Sequence, residues 1–125
     1  MILYPSVDEV LAAHARLIAV FGGAAQGIRD RGALEAALAR PQSGYYEDII
    51  QQAAALLESL SENHPFMDGN KRTAIAVTAA FLRINGYRLQ FDDLAAYEFL
   101  IQLYEDGQFR WERLEPWLRE HAFRK

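Results

Sequence analysis

His64, Asp68, Gly69, Asn70, Lys71 and Arg72 fall in one run, His64-Pro65-Phe66-Met67-Asp68-Gly69-Asn70-Lys71-Arg72-Thr73. It supplies a proton acceptor, a carboxylate, a glycine turn, an amide and two adjacent cations. An apolar stretch of helical character follows at once: Ala74 to Val77, then Ala79 to Leu82. The start of a helix leaves backbone N–H groups unpaired, and its dipole favours an anion. The run therefore predicts a phosphate-binding loop and a nucleotide-dependent enzyme whose chemistry is concentrated in that loop.

Each residue has a plainer use to set against this one. His64 can accept a proton from an incoming hydroxyl, because imidazole titrates near neutrality; its plain use is a loop histidine bonded to backbone. Asp68 can cap the helix, or it can give Mg²⁺ one carboxylate beside substrate phosphates. It can do both only if its two oxygens divide the work. Gly69 allows close backbone approach and an anion-binding nest, and Asn70 can donate its amide to a phosphate oxygen, although Gly-Asn alone is an ordinary turn. Lys71 and Arg72 sit at the wrong end of a helix for cations. A bound polyphosphate resolves that conflict, with Arg72 gripping two oxygens and Lys71 acting as a point charge. Pro65 and Phe66 read as structural, one stiffening the loop and the other anchoring it.

The elements that must hold this loop are mostly helical. Ser6-Val7-Asp8-Glu9 is a capping box that opens a helix through Phe21, ended by Gly22-Gly23, with Ala24 to Arg29 as loop. Asp30 caps a short helix from Arg31 to about Arg40, stopped by Pro41. Pro41 to Tyr46 reads as a surface loop or small hairpin, and Glu47 to Ser61 as a third helix. The fourth, from about Gly69 to Ile84, is apolar almost all round and is expected to be the central buried helix, ending at Asn85-Gly86. Tyr87 to Gln90 is a short extended piece. Asp92 or Asp93 caps a fifth helix through Glu105, and a sixth runs from Trp111 to His121 with a kink or break expected at Pro116. The expected fold is all-α: a compact six-helix bundle with a central buried helix and a small flap or hairpin.

With 125 residues, 51% hydrophobic and 24% charged, the chain has the makings of one globular domain, residues 1–125. A net charge of −4 argues against a direct nucleic-acid binder held by phosphate contacts. There is no cysteine, so thiolate metal sites are excluded. No signal peptide and no apolar run able to cross a bilayer is evident, so no membrane partner is expected and the cytoplasm is the default. The three histidines lack the spacing of a zinc hydrolase. His14 shares a face with Val10, Leu11, Leu17 and Ile18 and reads as a core or boundary histidine. His121 reads as solvated, Trp111 and Trp117 as core or boundary, and Arg119, Arg124 and Lys125 as a solvated tail.

The central run closely resembles the Fic/Doc signature, His-Pro-Phe-x-(Asp/Glu)-Gly-Asn-(Gly/Lys)-Arg. Phe21-Gly22-Gly23, Arg29-Asp30-Arg31-Gly32, Ala39-Arg40-Pro41-Gln42 and Phe81-Leu82-Arg83-Ile84-Asn85-Gly86-Tyr87 also resemble the Doc-type, or "death on curing", branch. The resemblance implies the six-helix Fic/Doc fold and transfer of part of a nucleotide onto a protein hydroxyl. By position it makes His64 the general base and Asp68 the Mg²⁺ ligand beside the phosphates of ATP. Gly69 and Asn70 become the anion hole, with Arg72 and Lys71 on phosphate. It also places a flap at Gln42, Ser43, Gly44, Tyr45 and Tyr46 that aligns the target chain by β-augmentation, against which stands simple aromatic packing of the two tyrosines.

Two departures bear on the reaction. Most Fic adenylyltransferases have Gly where this chain has Lys71, and a second Arg where it has Ile75. Both departures are similar to Doc toxins, which resemble kinases in passing on the γ-phosphate, so phosphorylation is preferred over AMP transfer. Translation elongation factor Tu is the target that the analogy implies. The alternatives are a Fic-type adenylyltransferase and an inactive partner-binding module. The family's self-inhibitory motif, (Ser/Thr)-x-x-x-Glu-(Gly/Asn), fails at its nearest match because Asp48 follows Ser43 to Glu47. Control in trans by a small antitoxin that folds on binding is the expectation.

Overall fold

A computed structural model describes residues 1–21 and 27–125. The expected helix stop at Gly22-Gly23 and the loop residues 24–26 lie outside the described residues. Six helices appear in order: α1 (Val7–Phe21), α2 (Arg31–Ala39), α3 (Ile49–Glu62), α4 (Asn70–Ile84), α5 (Asp93–Glu105) and α6 (Trp111–His121). Two short strands, β1 (Tyr87–Leu89) and β2 (Ala122–Arg124), pair antiparallel with Leu89 opposite Ala122.

The local signals work as the sequence predicts. The Glu9 N–H reaches Ser6 Oγ at 3.2 Å, and the Ser6 N–H reaches Glu9 Oε1 at 2.9 Å, closing the capping box. Asp30 accepts from Ala33 N at 3.0 Å and starts α2; α3 begins later than the expected Glu47, at Ile49, because Asp48 is its cap and accepts from Gln51 N at 3.0 Å. Gly86, at φ 91°, ends α4, while the Asn85 side chain ties that end to Leu3 through both the N–H and the C=O of its backbone.

The central helix is α3 rather than α4. Ten of the fourteen residues of α3 are buried, against six of the fifteen in α4. Ala53, Ala54 and Ala55 let neighbours approach α3 closely from several sides, and Leu56, Leu57 and Leu60 fill the core, each worth roughly 1.5–3 kcal/mol on burial. Four of the nine apolar residues of α4 are alanines, and its Ile84 is half exposed. Apolar pattern alone cannot say which of two adjacent helices gains neighbours on every side.

Glu58 joins three elements. Its Oε1 pairs with Arg40, and its Oε2 accepts the Trp111 N–H at 2.8 Å, capping α6 from another helix. Arg40 also donates to Tyr46 Oη at 2.7 Å and Ser59 Oγ at 2.8 Å. A single 3-10 turn, Arg40–Gln42, precedes an irregular loop, so the expected flap is a loop and not a hairpin. Tyr45 and Tyr46 stand edge-to-face with Trp111; Tyr46 is partly buried there, as packing requires, while Tyr45 stays 72% exposed.

The C-terminal end corrects three expectations. Helix α6 runs unbroken through Pro116, because a proline removes only one N–H and buried Leu114 and Leu118 hold the helix on both sides of it. The expected tail is β2, with Lys125 N donating to Gly86 O at 2.9 Å. His121 is half buried, its Nδ1 2.8 Å from Trp117 O. Arg119 meets Asp48 and Glu115. No helix among the described residues is long and apolar enough to cross a membrane.

Candidate active site

The motif loop is pinned from two sides. Helix α3 ends at Asn63, and His64 takes a left-handed conformation with φ 48°, uncommon outside glycine. Pro65 disfavours right-handed helix at His64, so α3 cannot run on. Arg29 then clamps the corner: its Nε donates to His64 O at 2.7 Å and its Nη2 to Asn63 O at 3.1 Å. Pro65 O accepts from the N–H groups of Arg29 and Asp30, Met67 N donates to Gly27 O, and Ile28 bridges Phe66. Phe66 is buried, as its anchoring role predicts.

Asn70 splints the loop to the helix. Its Oδ1 accepts the Phe66 N–H and its Nδ2 donates to Phe66 O, both at 3.0 Å. The amide read from the sequence as a phosphate donor thus serves the loop's own backbone. Gly69, at φ 77°, is the N-cap of α4 and carries no capping side chain. The first intrahelical bond runs from Thr73 N to Gly69 O. The N–H groups of Asn70, Lys71 and Arg72 therefore have no intrahelical partner. Asp68 Oδ1 takes the Gly69 N–H at 2.8 Å, so one carboxylate oxygen serves the backbone and no hydrogen bond engages the other among the described residues.

These groups line a polar cleft of about 310 Å³: His64, Asp68, Gly69, Asn70, Lys71 and Arg72, together with Met67 and Tyr97. No hydrogen bond to the His64 imidazole is formed among the described residues, so its nitrogens face no protein competitor there. Lys71 Nζ lies 3.5 Å from the Tyr104 ring centre, and Arg72 Cζ lies 4.7 Å from that of Phe21. Neither cation forms an ion pair among the described residues. The aromatic faces give both a structural partner that the sequence did not reveal, worth about 0.5–1 kcal/mol at an exposed site, and leave the positive charge in place. Beside this cleft, sharing Arg72 and Tyr97 with it, is an apolar pocket of about 350 Å³ that includes Ile75, Leu17 and Phe21. Gln42, Ser43, Gly44, Tyr45 and Tyr46 do not line the cleft.

The donor set fits Mg²⁺ only in company. No group of three His, Asp or Glu that could hold a metal occurs among the described residues. One exposed carboxylate with an oxygen to spare, at a helix start ready for phosphate, matches an ion that binds through few carboxylates plus substrate oxygens.

A model described as the Fic/DOC family matches residues 4–82, from before α1 into the last turn of α4. The chain belongs to the Fic/DOC family. It is 45% identical over 94 residues to "Toxin Doc" of Mycolicibacterium smegmatis, covering 71% of this chain and 69% of that protein. It is also 36% identical over 88 residues to "Protein kinase doc" of Escherichia phage P1, covering 67% and 69% respectively.

Two residues that hold this Fic/DOC loop escaped the sequence reading as functional. Arg29 entered the sequence reading only within the Doc-type resemblance, because its partners are carbonyls at the far end of α3. His14 is buried, as its apolar face predicts, and its Nε2 lies 2.8 Å from Asp68 O. Only a polar side chain on an otherwise apolar stripe hinted at that contact.

Proposed function

We propose that this Fic/DOC protein is a Doc-type toxin that transfers the γ-phosphate of ATP to a hydroxyl of a target protein, a translation elongation factor such as elongation factor Tu. The observation that carries the reading is an uncapped helix start, flanked by Lys71 and Arg72, sharing one cleft with an imidazole that no side chain or backbone group among the described residues engages by a hydrogen bond. In this reading the target hydroxyl oxygen forms a bond to the γ-phosphorus as the bond to the bridging oxygen breaks, and ADP departs. His64 takes the hydroxyl proton. The N–H groups opening α4, with Lys71 and Arg72, hold the phosphate oxygens. Asp68 would hold Mg²⁺, which offsets charge on the phosphates.

Preference for phosphate over AMP transfer rests on Lys71 and on Ile75, which lines the apolar pocket where a second phosphate-gripping arginine would otherwise stand. The relative named as a protein kinase points the same way. Control in trans by a small antitoxin belongs to the toxin reading, which the name of one relative, "Toxin Doc", supports. It also agrees with the 43–48 segment, which is not helical and so cannot present a self-inhibitory helix.

The test is purified protein with cell extract and ATP labelled on the γ- or the α-phosphate. Protein-bound γ-label is expected, and none with His64→Ala. Label from the α-position alone would replace this reading with AMP transfer. No label from either, across extracts in which the protein arrests growth, would favour a binding module.

A further inference from the structure

His14 lies on α1, far from the motif in sequence, and is 4% exposed. Its ring stacks on Phe66 with centres 3.8 Å apart and planes 5° from parallel. Its Nε2 is 2.8 Å from Asp68 O. A carbonyl only accepts, so Nε2 carries the hydrogen. The Asp68–Gly69 peptide is trans and planar, so a carbonyl turned toward α1 sends the Gly69 N–H to the opposite side. There it meets Asp68 Oδ1, in the polar cleft. The same helix crowds the outer face of Gly69: a Cβ there would lie 3.3 Å from Ile18 Cδ1 and 3.7 Å from His14 Nε2.

We propose that His14 is a positioning residue for phosphate transfer, its Nε2–H fixing the Asp68–Gly69 peptide plane so that the Gly69 N–H stays on the cleft side and holds the Asp68 carboxylate there. It touches neither nucleotide nor target. The inference rests on the transfer reading above, because a carboxylate held in that place serves transfer only in a cleft that takes phosphate and its counter-ion. The stack on Phe66 fixes where the imidazole sits, and the hydrogen bond fixes which way the peptide faces.

Three variants separate the two contacts. His14→Phe keeps the stack and loses the donor, His14→Gln keeps an N–H at similar reach, and His14→Met fills the space without a donor should the phenylalanine variant not fold. Loss of one hydrogen bond at this plane is expected to lower kcat about tenfold per folded molecule. Nucleotide KM is expected to stay within about twofold, since the plane is used at the transferring phosphate. His14→Gln should recover most of the loss. Wild-type kcat in His14→Phe, or a loss in His14→Gln as deep as in the donor-less variants, overturns the proposal. Hydrogen exchange at the Gly69 amide without nucleotide reads the same plane independently of turnover. It should be clearly faster in His14→Phe than in His14→Gln, and equal rates also overturn it. Wild-type protein that transfers nothing, yet shows that exchange contrast, refutes the transfer reading and leaves the peptide-plane role standing.

Discussion

Asn70→Ala tests the site most directly, because it removes both bonds of the splint to Phe66. Each is worth about 0.5–1.5 kcal/mol, so the pair contributes about 1–3 kcal/mol. Phe66 is 2% exposed, so its freed N–H and C=O regain little water and the loss belongs in the upper half of that range. Better helix propensity of alanine at the first turn offsets a few tenths of a kcal/mol. With an unfolding entropy of roughly 2.1 cal/mol/K per residue over 125 residues, the melting temperature falls by about 6 to 10 °C. Urea denaturation and calorimetry measure this, and the labelled-phosphate assay runs beside them. Asn70→Asp sharpens the result. It keeps an acceptor for the Phe66 N–H, loses the donor toward Phe66 O, and brings a negative charge into a cleft built for phosphate. It should be more stable than Asn70→Ala and yet the weaker enzyme. An Asn70→Ala protein within about 0.5 kcal/mol of wild type, the range of an ordinary surface change, would refute the splint.

Two further outcomes follow from single residues. His64 holds φ 48°, so His64→Gly should be more stable than His64→Ala by roughly 0.5–1 kcal/mol, because glycine takes the left-handed region without strain, while neither variant transfers phosphate. Equal urea midpoints for the two would show that the corner stores no strain. The Asp48 carboxyl lies below its ordinary value; burial raises it, but the Gln51 N–H and Arg119 together lower it more. A carboxyl lowered by folding stabilises above its unfolded value, near 3.8 for this group, and that contribution is lost as pH falls through the folded value. Asp48→Asn still caps α3 but cannot pair with Arg119, so its stability should fall less steeply than that of wild type between pH 5 and 2, on the order of the carboxylate range. Parallel curves would mean that neither the Gln51 N–H nor the half-exposed pair with Arg119 favours the charged carboxylate.

Much of the helical framework was legible because its signals are local. Ser6 with Glu9, Asp30 and Gly86 act on neighbours within one turn, so their spacing in the chain is their spacing in space. Terminal elements were harder. Ala122–Arg124 becomes a strand only because β1 lies beside it, and α6 survives Pro116 only because α3 buries its neighbours on the helix. The rank of α3 over α4 was likewise hidden, since burial depends on how many elements surround a helix and not on its apolar pattern alone.

The sequence by itself determined the chemical inventory: imidazole, carboxylate, glycine, amide and two cations in one loop at the mouth of a helix. That followed because the groups are adjacent in the chain, and any fold that starts α4 there must bring them together. Only the tertiary structure decided how each is used. Asn70 turns back to the Phe66 backbone, Asp68 divides its oxygens, and Lys71 and Arg72 rest on the rings of Tyr104 and Phe21. His14 and Arg29 enter the site from helices and loops remote in sequence. Hydrogen bonds and ring contacts act over a few ångströms, so which distant residue fills that range is fixed by packing and not by order along the chain.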